Sequence, residues 1–305
     1  MRRPSLVSIK QRLRQRLPHW FVLIREHRRL HGELPNIIWP VTFSEKILCR
    51  NLFDRRPLLT QIADKAAVRS YVESRLGAQM LPQLYHLTTR PESIPFDTLP
   101  DRFVVKPTHG SGWYELVTDK STLDRAALVE TCSAWLKRSY YEETGEIVYK
   151  DIRPRILVEQ FIDDGDGNAA SDYKLFVFDG RVEFIYVVTE RLTRYKRRLY
   201  TPAWKKLDVR LESDDVDGDA PRPPHLDDMI AAAETLGRDW DFIRTDFYDT
   251  PEQLYVGELT MTPGGGRFRF HPKEFDRYLG TLWKRRRSGV ELNPIDPSDF
   301  RKQPA

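Results

Sequence analysis

A short apolar run, Phe103-Val104-Val105, ends in Lys106-Pro107 and passes at once into Thr108-His109-Gly110-Ser111-Gly112-Trp113. A strand that delivers a lysine and then turns through small residues can hold a polyphosphate. The ammonium neutralises charge while unhindered backbone N–H groups approach the oxygens. The residues after the loop restrict the fold further. They read as a strand over 114–118 and then a helix from Asp124 to Tyr141, whereas P-loop and dinucleotide-binding units place a helix directly after the glycines. An acidic pair toward the other end completes the pattern: Arg244-Thr245-Asp246-Phe247-Tyr248 and Gly257-Glu258-Leu259-Thr260, followed by Met261-Thr262-Pro263-Gly264-Gly265-Gly266. Two strands carrying one carboxylate each, joined by a short turn, can place both acids on one metal ion bound to a phosphorylated ligand.

Composition narrows the partners. With a net charge of only +4 over 305 residues, bulk nucleic-acid binding is not favoured, and no nucleic-acid partner is expected. Cys49 and Cys132 stand far apart without a CxxC partner, which argues against a zinc ribbon or a disulfide scaffold and suits a reducing cytoplasm. Cys132 falls in a helical run with Leu128, Trp135 and Leu136 and reads as a buried, inert thiol. No apolar stretch approaches the roughly 20 residues of a membrane span. Leu6-Val7-Ser8-Ile9 is cut short by Lys10, too brief for a secretory segment. A cytoplasmic location is therefore expected. In the first 30 residues Leu6, Ile9, Leu13, Leu17, Trp20 and Ile24 recur at helical spacing opposite a basic face. Docking on the domain with that face solvated is the plainer role; peripheral contact with the inner face of a membrane is the functional alternative.

Further along, Asp64-Lys65 opens a helical segment that runs through Leu76 and closes on Gly77. Prolines 82, 91, 95 and 100 break the next stretch around one short strand at Leu84-Tyr85. Residues 155–162 read as a buried strand, and Tyr173–Phe178, Asp179-Gly180 and Arg181–Val188 as a tight hairpin, since Asp-Gly suits positive φ. A strand near Leu199–Trp204 leads to an acidic, breaker-rich loop over 209–223. A helix from Leu226 to Leu236, ended by Gly237, then precedes strands 242–248 and 254–260. Asp163-Asp164-Gly165-Asp166-Gly167-Asn168 looks superficially like a calcium loop but lacks its glycine and glutamate positions, so it reads as an acidic turn.

The ordered set Asp64-Lys65, Phe103 to Pro107, Gly110-Ser111-Gly112, Val158 to Ile162, Asp172-Tyr173-Lys174, Arg244-Thr245-Asp246 and Glu258-Leu259-Thr260 with Pro263-Gly264 resembles an ATP-grasp fold. More narrowly it is similar to the TupA-like branch, associated with teichuronopeptide and capsular polysaccharide biosynthesis. The likeness spans roughly residues 40 to 285. It implies an α+β fold in which two α+β subdomains clasp ATP behind a helical N-terminal extension. The corresponding division is 1–60 for the extension, 61–155 for the first subdomain with its glycine-rich lid, 156–290 for the second with its metal strands, and 291–305 for a tail.

The resemblance also implies roles. Lys106 would contact the α- and β-phosphates, and His109, Gly110, Ser111 and Gly112 would close over the β- and γ-phosphates. Glu159, Gln160, Phe161 and Ile162 would form the hinge that reads adenine or ribose. Lys174 would reach the nucleotide or the transferred phosphate, and Arg244 would clamp the moving γ-phosphoryl group. Asp246, Glu258 and Thr260 would hold Mg2+; Thr260 stands where many ATP-grasp enzymes have asparagine. Arg191 and Arg198, in a basic stretch that is otherwise a solvated face, and Gly265 are candidates for contact with an anionic substrate.

The implied activity is carboxylate–amine ligation through an acyl phosphate. Its partners would be a small-molecule or polysaccharide-linked carboxylate, a sugar acid or an amino acid, and an amine. A kinase acting on an alcohol would use the same nucleotide site. A non-enzymatic or glycosyl-transfer component of polysaccharide assembly is the third alternative, and retention of Lys106, Arg244, Asp246 and Glu258 argues against it.

Overall fold

The computed structural model describes residues 18–165, 167–189, 196–211 and 219–283. It opens with helix α1 (His19–His31), which closes on Gly32 in the left-handed region. Helix α2 (Phe43–Phe53) starts on a reciprocal cap: the Thr42 hydroxyl accepts the Glu45 N–H, and the Glu45 carboxylate accepts the Thr42 N–H. Helices α3 (Pro57–Ala63) and α4 (Val68–Leu76) follow. Where the sequence suggests one helix from Asp64, the chain breaks at 64–67. Asp64 accepts the N–H groups of Ala66 and Ala67 through its side chain, which ends helical progression there. Lys65 consequently sits at a break between helices.

The first sheet is antiparallel, in the order β1-β4-β2-β3, with β1 (Leu84–Thr88), β2 (Phe103–Pro107), β3 (Glu115–Val117) and β4 (Ile156–Gln160). Strand alternation gives it two unlike faces. Phe103, Val105, Ile156 and Val158 pack with Leu128, Cys132 and Trp135 of α5 (Arg125–Leu136). Lys106 and Glu159 point the other way. Burial pushes the Cys132 thiol up to about 12, as an inert core cysteine requires. The helix expected to continue to Tyr141 stops at Leu136; Ser139 then caps a separate short helix, α6 (Tyr140–Thr144).

The second sheet has the order β10-β9-β5-β6-β7. Its hairpin joins β5 (Asp172–Phe178) to β6 (Arg181–Thr189) through Asp179 and Gly180, both at positive φ. Strand β7 (Lys196–Tyr200) forms one edge; β9 (Phe242–Asp249) and β10 (Leu254–Thr260) lie at the other. Leu175, Val177, Ile185 and Ile243 pack under α7 (Leu226–Gly237) together with α3 and α4. Gly237, expected as a left-handed cap, is instead the last helical residue. A Cβ there would lie 2.5 Å from Val177, so the glycine permits close approach of helix and sheet. The opposite face presents Phe176, Phe178, Phe184 and Phe242 to Phe43 and Ile47 of α2 and to Phe275 and Leu279 of α8 (Glu274–Leu282). Within the stretch expected as an acidic loop, β8 (Arg210–Leu211) pairs with β11 (Phe270–His271); residues 212–218 lie outside the described residues.

Two boundaries differ from the sequence division. Residues 156–160 are a central strand of the first sheet, because Ile156 and Val158 complete the core beneath α5. Helix α2 is built into the second sheet's aromatic core. Its Arg50 donates to the carbonyls of Phe242 and Met261 and pairs with Asp241.

Candidate active site

Between the two sheets lies a cleft of about 410 Å³, within the size range of small-molecule sites. It receives Lys106 and Glu159 from the first sheet and Lys174, Arg244, Asp246 and Glu258 from the second. Lys106 pairs with Leu157 across β2 and β4, and Val104 pairs with Glu159. The lysine and the glutamate are therefore diagonal neighbours on the cleft face, where they form an ion pair. Arg69 approaches the same carboxylate at 3.7 Å. Burial works against the Lys106 charge, but Glu159 outweighs it and the ammonium pKa is raised.

On the second sheet the register sets Lys174 opposite Asp246 and Phe176 opposite Arg244. One strand face thus changes from aromatic core to charge within two residues. Lys174 Nζ donates to Asp172 at 2.5 Å and to Asp246 at 2.6 Å. Arg244 grips Asp246 through Nε at 2.7 Å and Nη2 at 2.6 Å, and its Nη2 also donates to the Thr260 hydroxyl at 3.0 Å. Asp246 is only 2 % exposed. Burial raises its pKa, yet Arg244 and Lys174 overcome that effect and hold the carboxyl below its usual range. Glu258 lies opposite Asp246 on β10, 3.8 Å from Arg244 and 3.6 Å from Lys65.

Lys65 is a functional candidate to which the sequence motif assigns no role. Its ammonium donates to the Gly110 carbonyl, and burial lowers its pKa despite Glu258. Asp172 is a second. Both stand within the motifs named above, so residue type is the available signal, but a continuous helix over Lys65 and an exposed Asp172–Lys174 pair are the simpler readings of sequence alone.

The other expected residues divide. Ser111 and Gly112 line the cleft with Trp113 and Tyr114, and Gln160, Phe161 and Ile162 line its opposite end with Val104, Leu116, Ala169 and Ala170. Gly110 lies behind this wall, where a Cβ would meet the Trp113 ring at 2.8 Å. His109 is turned away: its buried ring contacts the Trp135 carbonyl at 3.1 Å and Trp113 edge-on, and burial lowers its pKa. Its neighbours therefore place it in packing outside the cleft wall. The Thr260 hydroxyl orients Arg244. Arg198 is buried on β7, across the sheet from β10, and does not line the cleft; Arg191 lies outside the described residues. Gly265, at φ +60°, packs beside Arg267 and Glu146 in the turn after β10. The acidic turn is held by Arg102 on Asp163 and by Asp164 bonding Asn168; Asp166 lies outside the described residues.

Among the described residues no three His, Cys, Asp or Glu side chains form a ready-made metal cage. Magnesium needs none, because it commonly takes one or two carboxylates and completes its shell with phosphate oxygens and water. Asp246 and Glu258, adjacent across two strands and all-oxygen in character, fit that demand.

The family profile described as TupA-like ATP-grasp matches residues 45–284. A search of curated proteins gives no match. Among solved structures, a D-alanine–D-alanine ligase from Bacillus anthracis complexed with ATP is similar at 16 % identity and a TM-score of 0.41, over 68 % of this chain and 56 % of that one. An L-amino acid ligase from Bacillus licheniformis is similar at 17 % identity and a TM-score of 0.46, over 93 % of this chain and 64 % of its own. The chain thus spans less than two thirds of the length of either. With the profile covering most of the sequence, the chain belongs to the TupA-like ATP-grasp family.

Proposed function

We propose that the chain is an ATP-dependent carboxylate–amine ligase that forms an amide through an acyl phosphate. Its acid substrate is a sugar acid or an amino acid of a cell-surface polysaccharide. One observation carries the reading: Lys106 from the first sheet and the paired carboxylates Asp246 and Glu258 from the second converge on one cleft. Family membership supports it.

A free carboxylate is a poor electrophile, because its charge repels an amine and its leaving group would be oxide. Attack of a carboxylate oxygen on the γ-phosphorus forms an O–P bond, breaks the bond to ADP, and leaves an acyl phosphate. The amine then adds to the acyl carbon, phosphate departs with the C–O bond electrons, and the nitrogen loses a proton. The chain's part is placement and charge neutralisation. Lys106 and Lys65 serve the phosphates from the lid side. Lys174 and Arg244 serve the transferred group, the guanidinium through a planar array of donors. The wall from Ser111 to Tyr114 excludes water from the acyl phosphate. Asp246 and Glu258 would hold magnesium, which would supply positive charge to offset that of the phosphates.

The cleft also supplies a reason for a metal. Lys65, Lys106, Lys174 and Arg244 face Glu159, Asp172, Asp246 and Glu258, four cations against four carboxylates. When cations turn toward a polyphosphate, buried acids lose their partners, and a divalent ion would offset part of the negative charge left over.

The test is incubation with ATP, magnesium, hydroxylamine and a panel of uronic and amino acids. Ligation yields a hydroxamate and ADP. A stable phosphorylated alcohol would establish the kinase reading instead, and absence of ATP consumption with every acceptor would refute both.

A further inference from the structure

The loop joining α1 to α2 presents an apolar tip to solvent, with Ile38 78 % and Trp39 75 % exposed. The tip is pinned outward. Glu45 accepts the N–H groups of Asn36 at 2.7 Å, Val41 at 2.8 Å and Thr42 at 3.1 Å, and Asn36 Oδ1 accepts the Trp39 N–H at 2.8 Å. Cys49 adds a contact to the Ile37 carbonyl. A loop fixed by this many backbone bonds cannot fold its isoleucine and tryptophan inward, so their exposure is built in. Beside it runs an open groove of about 600 Å³, lined by Val41, Phe53, Arg55 and Trp283 among others, with Phe53 62 % exposed. The acids in the groove are already neutralised: Arg50 pairs with Asp241 and Arg56 with Asp54.

We propose that this face docks on an anionic lipid bilayer, with Ile38 and Trp39 entering the interface and the surrounding arginines meeting headgroup phosphates. Charge complementarity selects that occupant. Between residues 18 and 58 the exposed charges are Arg25, Arg28, Arg29, Arg55 and Arg56 against Glu33, with Arg56 paired to Asp54 and Arg29 near Glu26, which leaves the excess positive. Arg55, on the groove itself, donates to the carbonyls of Asn51, Leu52 and Asp54 and has no carboxylate partner among the described residues. Two neighbouring stretches of sequence have the same sign. Residues 1–17 contain five arginines and one lysine without an acid, and Lys284-Arg285-Arg286-Arg287 follow directly on Trp283. Tryptophan beside basic residues is the composition that resides at a membrane–water boundary. A second copy of the chain would bring arginines against arginines across a twofold contact. Among the described residues no helix is long and apolar enough to cross a membrane, so the attachment is peripheral. The surface is distinct from the nucleotide cleft, and its docking stands whatever reaction the cleft performs.

The experiment is flotation of the full chain with vesicles of phosphatidylcholine alone and of phosphatidylcholine mixed with phosphatidylglycerol, with and without high salt. The chain should float with the mixed vesicles only, and salt should release it. The double substitution Ile38→Ser, Trp39→Ser should weaken flotation about tenfold or more, and Arg55→Glu about fivefold, both without loss of folding by circular dichroism or of nucleotide binding. The proposal fails if the full chain stays unbound with mixed vesicles, or if the double variant floats as well as the parent. It also fails if light scattering shows a dimer that the double variant converts to a monomer.

Discussion

The two ends of the cleft solve different problems. At one end Val104, Leu116, Phe161, Ile162, Ala169 and Ala170 form an apolar lining. At the other end β2, β4, β5, β9 and β10 contribute charge, and each charge already has an opposite close by. The lining gains from removing carbon from water and tolerates variation in shape. The charged end works by exchanging partners, so its residues depend on one another. Substitutions should therefore be graded and separable at the apolar end, and coupled at the charged end.

The largest effect is expected from Glu258→Gln, which removes one proposed magnesium ligand from a partly exposed position. Turnover should fall about 10²- to 10³-fold with the melting temperature nearly unchanged. Steady-state ADP release and a thermal melt check this, and near-parental turnover would break the division between the two ends.

Lys106→Met comes next. It should weaken ATP binding about a hundredfold and also destabilise the fold, because Glu159 is left buried without its main partner. Adding Glu159→Gln should recover the melting temperature and leave the affinity low. Recovery of both would mean that the pair serves the fold alone.

At the apolar end, Phe161→Ala should raise KM for ATP about tenfold with little change in kcat, as expected when a binding surface is trimmed away from the reacting groups. A fall in kcat equal to the rise in KM would erase the distinction.

The smallest effect tests the electrostatic logic outside the cleft. Asp276 is buried on α8 beside the start of α2, where it accepts the Ser44 N–H at 2.9 Å. Burial, without a cation like those on Asp246, pushes its carboxyl up to about 6. Its folded pKa is raised, so the protonated form favours the native state. That contribution is complete below the unfolded value near 4 and is lost as pH rises through about 6. Asp276→Asn should thus stabilise by about 2 kcal/mol at pH 8 and by much less at pH 4, with activity unchanged. Urea melts at the two pH values read this directly, and equal effects at both would contradict it.

How far the molecule is legible in its sequence depends on the range of the interactions. Alternation within Phe103–Lys106 and the Asp179-Gly180 turn are local signals, and both the strand and the hairpin are present as read. The carboxylates Asp246 and Glu258 stand out because charge interrupts apolar strands. His109 misleads because its position in the loop says nothing of the direction of its ring, which is decided by Trp113 and by Trp135 on α5. Lys65 is hidden by a helical pattern that Asp64 interrupts through its own side chain. Strand β4 falls on the wrong side of the sequence boundary for a similar reason: its partners β1 and β2 are remote along the chain.

That placement has a consequence for how the protein is made. Strand β4 lies between β1 and β2, yet it leaves the ribosome long after both. Until Ile156 to Gln160 emerge, β1 and the β2–β3 pair lack the strand that joins them and keep open edges, exposed to mispairing. A truncated chain ending at residue 155 should accordingly remain without a cooperative melt, because the first sheet closes only when its inner strand arrives.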